Sequence, residues 1–212
     1  MSSRQVRGES VTLVLRKLGA SNSWERVECP VRVRSGSGLL WKKHPDVDAA
    51  AIVVALPDGI IRTPVTTSML WSDDEIAKYE ISVGAELQCL GYPLGAEANP
   101  FGFPVLRSGR IASYPLLPSR SVRTFLFDFT VFQGNSGGPV YVFYKSPTYG
   151  GYMRPNETIM GVLGLVTEER GITQISQGLY ERSEKTTQLR LGSVIHASFI
   201  RDLIDMLGVP KS

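Results

Sequence analysis

The chain has 212 residues, enough for one large domain or two small ones. A formal net charge of +3, with basic residues scattered and never interleaved with aromatics, argues against a nucleic-acid groove. No apolar run approaches the roughly 20 residues that span a membrane, and residues 1–7 lack the apolar core of a signal peptide.

With 21 glycines and 13 prolines the chain can turn often, which favours short strands. Residues 10–18 (SVTLVLRKL) are β-branched and largely apolar and read as a strand. Residues 24–34 alternate: Val27, Cys29, Val31 and Val33 share one face, and Arg26, Glu28, Arg32 and Arg34 the other. That period of two marks a half-buried antiparallel strand. After the turn Ser35-Gly36-Ser37-Gly38, residues 48–56 (DAAAIVVAL) read as a buried apolar strand.

Residues 63–82 read as a connection holding a short helix, because Ser72 precedes Asp73, Asp74 and Glu75 as a cap precedes an acidic first turn. Six further strands are expected at 85–92, 105–113, 123–130, 139–144, 158–167 and 191–196. Polar loops are expected at 145–157 and 168–188. The last segment places Phe199, Ile200, Leu203, Ile204 and Leu207 at helical spacing before Gly208 and Pro210. Short antiparallel strands at this spacing suit a closed barrel, with a sandwich as the alternative.

Cys29 and Cys89 are the two cysteines; they form no CxxC pair and no cluster with His44 and His196, so no metal site is expected. They read as buried free thiols, which favours a reducing, cytoplasmic compartment.

The segment Gln133-Gly134-Asn135-Ser136-Gly137-Gly138-Pro139 carries the chemistry. Acyl transfer by serine needs Oγ at an exposed turn and backbone N–H groups converging on the oxyanion. Glycines on both sides keep the turn free of side chains, and the N–H groups of Gly134 and Ser136 are the natural donors. The plainer reading is a glycine-rich hairpin turn with an incidental serine.

The stretch VFQGNSGGPVYVF resembles the nucleophile segment of the trypsin-like serine peptidases, in particular the bacterial Deg-like branch with Asn before the serine. Asp128, residues 83–95 (VGAELQCLGYPLG), residues 107–113, residues 161–167 and the last helix are similar to further parts of that family, so the likeness spans about 45–208. It implies an all-β, chymotrypsin-like double antiparallel barrel with a C-terminal helix. Residues 1–75 would form an incomplete N-terminal barrel and 76–212 the C-terminal barrel. It implies a serine endopeptidase acting on peptide or protein substrates without a cofactor. Ser136 is then the nucleophile and Asp48, heading Asp48-Ala49-Ala50-Ala51-Ile52, the triad aspartate, with Asp46 a competitor. Thr130, Val131, Phe132 and Gly164 would shape the specificity pocket. Without an acid at Thr130 the pocket would favour a small or medium apolar side chain.

The general base does not follow. The family places its histidine upstream of the aspartate, whereas His44 is separated from Asp48 by Pro45 in an extended stretch of roughly 13 Å. His196 lies where the last strand meets the helix. Two expectations remain: a chain lacking the first strands of barrel one, completed by another segment or chain that carries the histidine, or a catalytically inactive peptide-binding or regulatory protein. On the first, the apolar face at Val11, Leu13, Val14 and Leu15 is uncovered and the isolated chain tends to aggregate.

Overall fold

A computed structural model describes residues 9–19, 23–60, 64–129, 132–177 and 182–208. Its strands in chain order are β1 (Ser10–Leu18), β2 (Trp24–Arg32), β3 (Arg34–Ser35), β4 (Gly38–Leu39), β5 (Trp41–Lys43), β6 (Ala50–Ile52), β7 (Glu86–Gly91), β8 (Val105–Ile111), β9 (Thr124–Asp128), β10 (Pro139–Lys145), β11 (Thr148–Tyr149), β12 (Tyr152–Met153), β13 (Thr158–Gln177) and β14 (Arg182–His196). The helices are α1 (Asp73–Lys78), α2 (Ser119–Val122) and α3 (Ala197–Leu207).

Six strands close an antiparallel barrel in the order β10, β13, β14, β9, β8, β7. Its interior follows from alternation. Leu87 and Cys89 on β7, Phe125 and Phe127 on β9, Val140 and Val142 on β10, and Leu163 on β13 each expose 1 % or less. All six strands expected between 85 and 196 are present. The extent of the last two differs, because the polar stretch expected as a loop at 168–188 is drawn into the β13–β14 ladder as far as Gln177↔Arg182. Its β-branched residues Ile172, Thr173, Ile175, Thr186 and Thr187 suit an extended backbone whatever their polarity.

Among the described residues of 9–60 the strands form three separate two-stranded sheets, β1–β2, β3–β4 and β5–β6. On β2 the alternation holds, with Cys29 and Val31 buried and the residues between them exposed. The long buried strand expected at 48–56 does not form. It shortens to β6, which pairs with β5 alone, and Val53 beyond it is 58 % exposed. With one strand and α3 beside it, this stretch has too little cover to bury its apolar run.

Both expected helices form. Glu75 accepts the Ser72 hydroxyl and, at 2.7 Å, the Ser72 N–H at the start of α1; the hydroxyl bond first and the N–H bond second hold the Glu75 carboxyl below its ordinary range. Helix α3 buries Phe199 and Leu203 and ends at Gly208 in the left-handed conformation (φ 66°). The Trp71 indole packs against Gly161 of β13, where a Cβ would stand 1.9 Å from it. Gly161→Ala is therefore expected to destabilise the protein by about 2 kcal/mol through overpacking. In a thermal melt the midpoint should fall by roughly 4–8 °C.

Candidate active site

The turn carrying Ser136 lies between β9 and β10 and is tied on both sides. Gly137 N–H donates to Val166 O at 2.7 Å, and Val166 N–H returns a bond to Gly138 O at 3.0 Å. On the other side Tyr92 N–H donates to Gly134 O at 3.2 Å and Leu94 N–H to Gln133 O at 2.6 Å. Gly134 has φ +99°, and a Cβ there would stand 2.1 Å from the Tyr92 carbonyl oxygen, so both its conformation and its surroundings demand glycine. Asn135 is buried, and its side-chain oxygen packs where a Cβ on Gly91 would stand, 2.8 Å away.

Ser136 is exposed, and its Oγ donates to the Thr167 carbonyl at 2.9 Å. Among the described residues the N–H groups of Gly134 and Ser136 donate to no acceptor. A carbonyl that accepts a hydrogen bond orients the hydroxyl but cannot take its proton in the way a basic side chain does.

Thr167 also lines a cavity of about 440 Å³ with Asp46, Asp48, Arg123, Thr124 and Ser193. Asp48 lines this cavity, whereas Ser136 does not and meets its edge only through the bond to the Thr167 carbonyl. Asp48 is not the buried carboxylate expected: its side chain is 85 % exposed, and its neighbour is Lys43 Nζ at 3.8 Å. The reason is the shortening of β6, which leaves Asp48 in the loop before it. The competitor Asp46 is also exposed and stands 4.0 Å from Arg123. None of the residues lining this cavity is a histidine.

Both histidines are held elsewhere. His44 is buried; its Nδ1 accepts the Asp46 N–H at 3.0 Å, which places the proton on Nε2, and Nε2 donates to Asp202 on α3 at 3.3 Å. Arg120 grips the same carboxylate with both terminal nitrogens, and that pairing holds the Asp202 carboxyl below its ordinary range. The Phe199 ring meets the His44 imidazole edge-on at 5.2 Å. His196 is 1 % exposed, beside Phe125 at 5.1 Å, and among the described residues neither ring nitrogen has a hydrogen-bond partner.

Of the residues expected to shape a specificity pocket, Thr130 and Val131 lie outside the described residues. Phe132 is exposed beneath the Arg107 guanidinium at 5.5 Å. Gly164, the fourth of these, does not lie at a free strand edge. Instead it pairs with Val140 on one side and His196 on the other, and a Cβ would stand 1.9 Å from the Ile195 carbonyl oxygen. Its missing side chain admits the neighbouring strand.

Both cysteines are buried free thiols, and burial pushes the Cys89 thiol up to about 11, which leaves it protonated and inert. Among the described residues no group of three His, Cys, Asp or Glu stands close enough to hold a metal ion. Comparison with protein-family models, curated proteins and solved structures finds no match to this chain.

Burial pushes the His196 pKa down to about 4, against a smaller upward pull from Asp73. Between pH 4 and the unfolded value near 6.5 the unfolded chain binds a proton that the folded one does not. Stability should therefore fall as pH drops through that window, by on the order of 3 kcal/mol. Melting temperatures recorded across it should show the slope, and His196→Leu should flatten it.

Proposed function

We propose that the chain is a serine-peptidase protein of the trypsin-like class, with Ser136 the residue that attacks the scissile carbonyl of a peptide or protein substrate. The observation that carries this reading is the Ser136 turn itself. An exposed Oγ sits on a glycine turn beside two N–H groups that, among the described residues, donate to no acceptor. On this reading the three small sheets before residue 60 are part of a first barrel and the closed barrel is the second.

In the reaction a bond forms between Ser136 Oγ and the carbonyl carbon, and the C–N bond breaks. The Oγ proton must pass to the leaving amine, and the carbonyl oxygen takes up negative charge facing the N–H groups of Gly134 and Ser136. These donors alone supply part of the rate; the proton transfer needs a base that neither His44 nor His196 provides where it stands. The 212 residues by themselves should then acylate slowly, and a completing segment or chain that brings a histidine between Ser136 and Asp48 should raise the rate by about 10⁶.

The engagement of both histidines away from Ser136 favours a second reading, a non-catalytic peptide binder on a peptidase fold. Covalent labelling separates the two. A fluorophosphonate probe should label wild-type protein at Ser136, slowly, and leave Ser136→Ala unlabelled. His44→Gln should label within about twofold of wild type, since loss of a true general base costs far more. A folded wild-type protein that resists the probe at every concentration would exclude the first reading.

A further inference from the structure

The Ser136 turn is linked, through one tyrosine, to a part of the molecule far away in sequence. The Tyr92 backbone holds the turn from beneath, with its N–H on Gly134 O and its own carbonyl filling the space a Gly134 side chain would need. The Tyr92 hydroxyl points the other way, donates to Gly102 O at 3.1 Å and receives the Arg16 Nη2 donor of β1 at 3.2 Å.

Arg16 is part of a larger grip. The guanidinium of Arg26 on β2 donates to both carboxylate oxygens of Glu97, at 2.8 and 2.7 Å. The Trp24 ring meets Phe103 edge-on at 4.9 Å, and the Arg16 guanidinium lies over the Phe103 ring at 5.6 Å. Gly102 leaves room for this: a Cβ there would stand 2.7 Å from Arg16 Nη2 and 2.9 Å from Arg26 Nη1. The β1–β2 hairpin therefore seats on the loop 92–103, and the two ends of that loop are its contacts with Tyr92 and Phe103.

We infer that the β1–β2 hairpin sets the conformation of the Ser136 turn, with Arg16 and Tyr92 as positioning residues for the oxyanion donors. Neither residue touches the reacting atoms. Arg16 fixes the Tyr92 ring, the ring fixes the Tyr92 backbone, and that backbone fixes Gly134. Oxyanion donors act only where their N–H groups are preorganised, so a turn that relaxes by a fraction of an ångström loses rate without losing the fold. The consequence for catalysis rests on Ser136 being the nucleophile; the mechanical link does not.

Amide hydrogen exchange read by mass spectrometry on the intact chain tests the link directly. Tyr92→Phe and Arg16→Met should each raise exchange in the peptide covering 132–138 by about fivefold, the effect of one lost hydrogen bond, with the peptide covering 158–166 unchanged. Arg16→Lys should restore part of the protection, and the double variant should exchange no faster than either single one. Arg16 is partly exposed, so Arg16→Met carries the test where Tyr92→Phe fails to fold. Unchanged exchange at 132–138 in a folded variant, or an equal rise at 158–166, overturns the inference. Fluorophosphonate labelling of the same proteins is read separately. Failure to label wild type removes the nucleophile reading alone. Labelling of wild type and Tyr92→Phe at equal rates removes the catalytic consequence of the link.

Discussion

The closure of the barrel between β7 and β10 is the constraint from which the candidate site follows. It is made by two residue pairs, Val140↔Cys89 and Tyr141↔Gln88. Val140 also faces Gly164 of β13, so the first residues of β10 are held between two strands. The Ser136 turn ends where β10 begins and inherits that position. Glycine is required wherever the turn meets the strands. At Gly138 a Cβ would stand 2.2 Å from Leu90 O, and at Gly134 it would stand 2.1 Å from Tyr92 O. The same lack of side chains that lets the turn pack against β7 leaves its outer face open to a ligand. One set of glycines thus serves packing and access together, and a glycine-rich run there is no sign of a loose loop.

The N-terminal residues meet the barrel in two places by different physics. At the hairpin the contacts are charged and aromatic, with Arg26 on Glu97 and Trp24 against Phe103. At residues 44–49 a buried imidazole bridges its own loop to α3. There, His44 N–H donates to Ala49 O at 2.9 Å while the ring links Asp46 N–H to Asp202. The exposed Arg26–Glu97 pair is screened by solvent and weak by itself. The His44 bridge is sheltered, and Arg120 supplies the charge that keeps Asp202 ionised. The two contacts hold the hairpin and the Asp46–Asp48 loop to different faces of one barrel, which three unclosed sheets would not do unaided.

Much of the barrel was legible in the sequence because its strands alternate. Residues 85–92 and 123–130 carry their apolar residues on one face, and β7 and β9 fall inside those bounds. The Ser72 cap and the Gly208 stop are local signals and are found where expected. The failures share a cause, which is dependence on distant partners. Residues 48–56 are apolar enough to be buried, but burial needs a second layer that the described residues before 60 do not supply. The polar run 168–188 reads as a loop, while its backbone pairs between β13 and β14 as far as Gln177↔Arg182. Tyr92 and Arg16 carried no signal at all, since their partnership spans 76 residues. Tyr92 read only as the last residue of the strand expected at 85–92.

The placement of Ser136 and Asp48 bears on the proposed chemistry. The Ser136 turn is held on the barrel by β13 and Tyr92, while Asp48 sits on the loop that His44 anchors to α3. These two supports are separate, and among the described residues no side chain hydrogen-bonds between Ser136 and Asp48. On that reading a serine and a carboxylate gain nothing from proximity alone, because a solvent-exposed carboxylate is a poor acceptor for a serine proton. On the proposed reading, the missing element is a group that reaches both Ser136 and Asp48 and titrates near neutrality, which is the chemistry of an imidazole. Moving His44 there would leave the Asp46 N–H and the Asp202 carboxylate without their partner and would release the loop that carries Asp48. The residue nearest in sequence to that role is therefore the one whose transfer would free the proposed carboxylate partner.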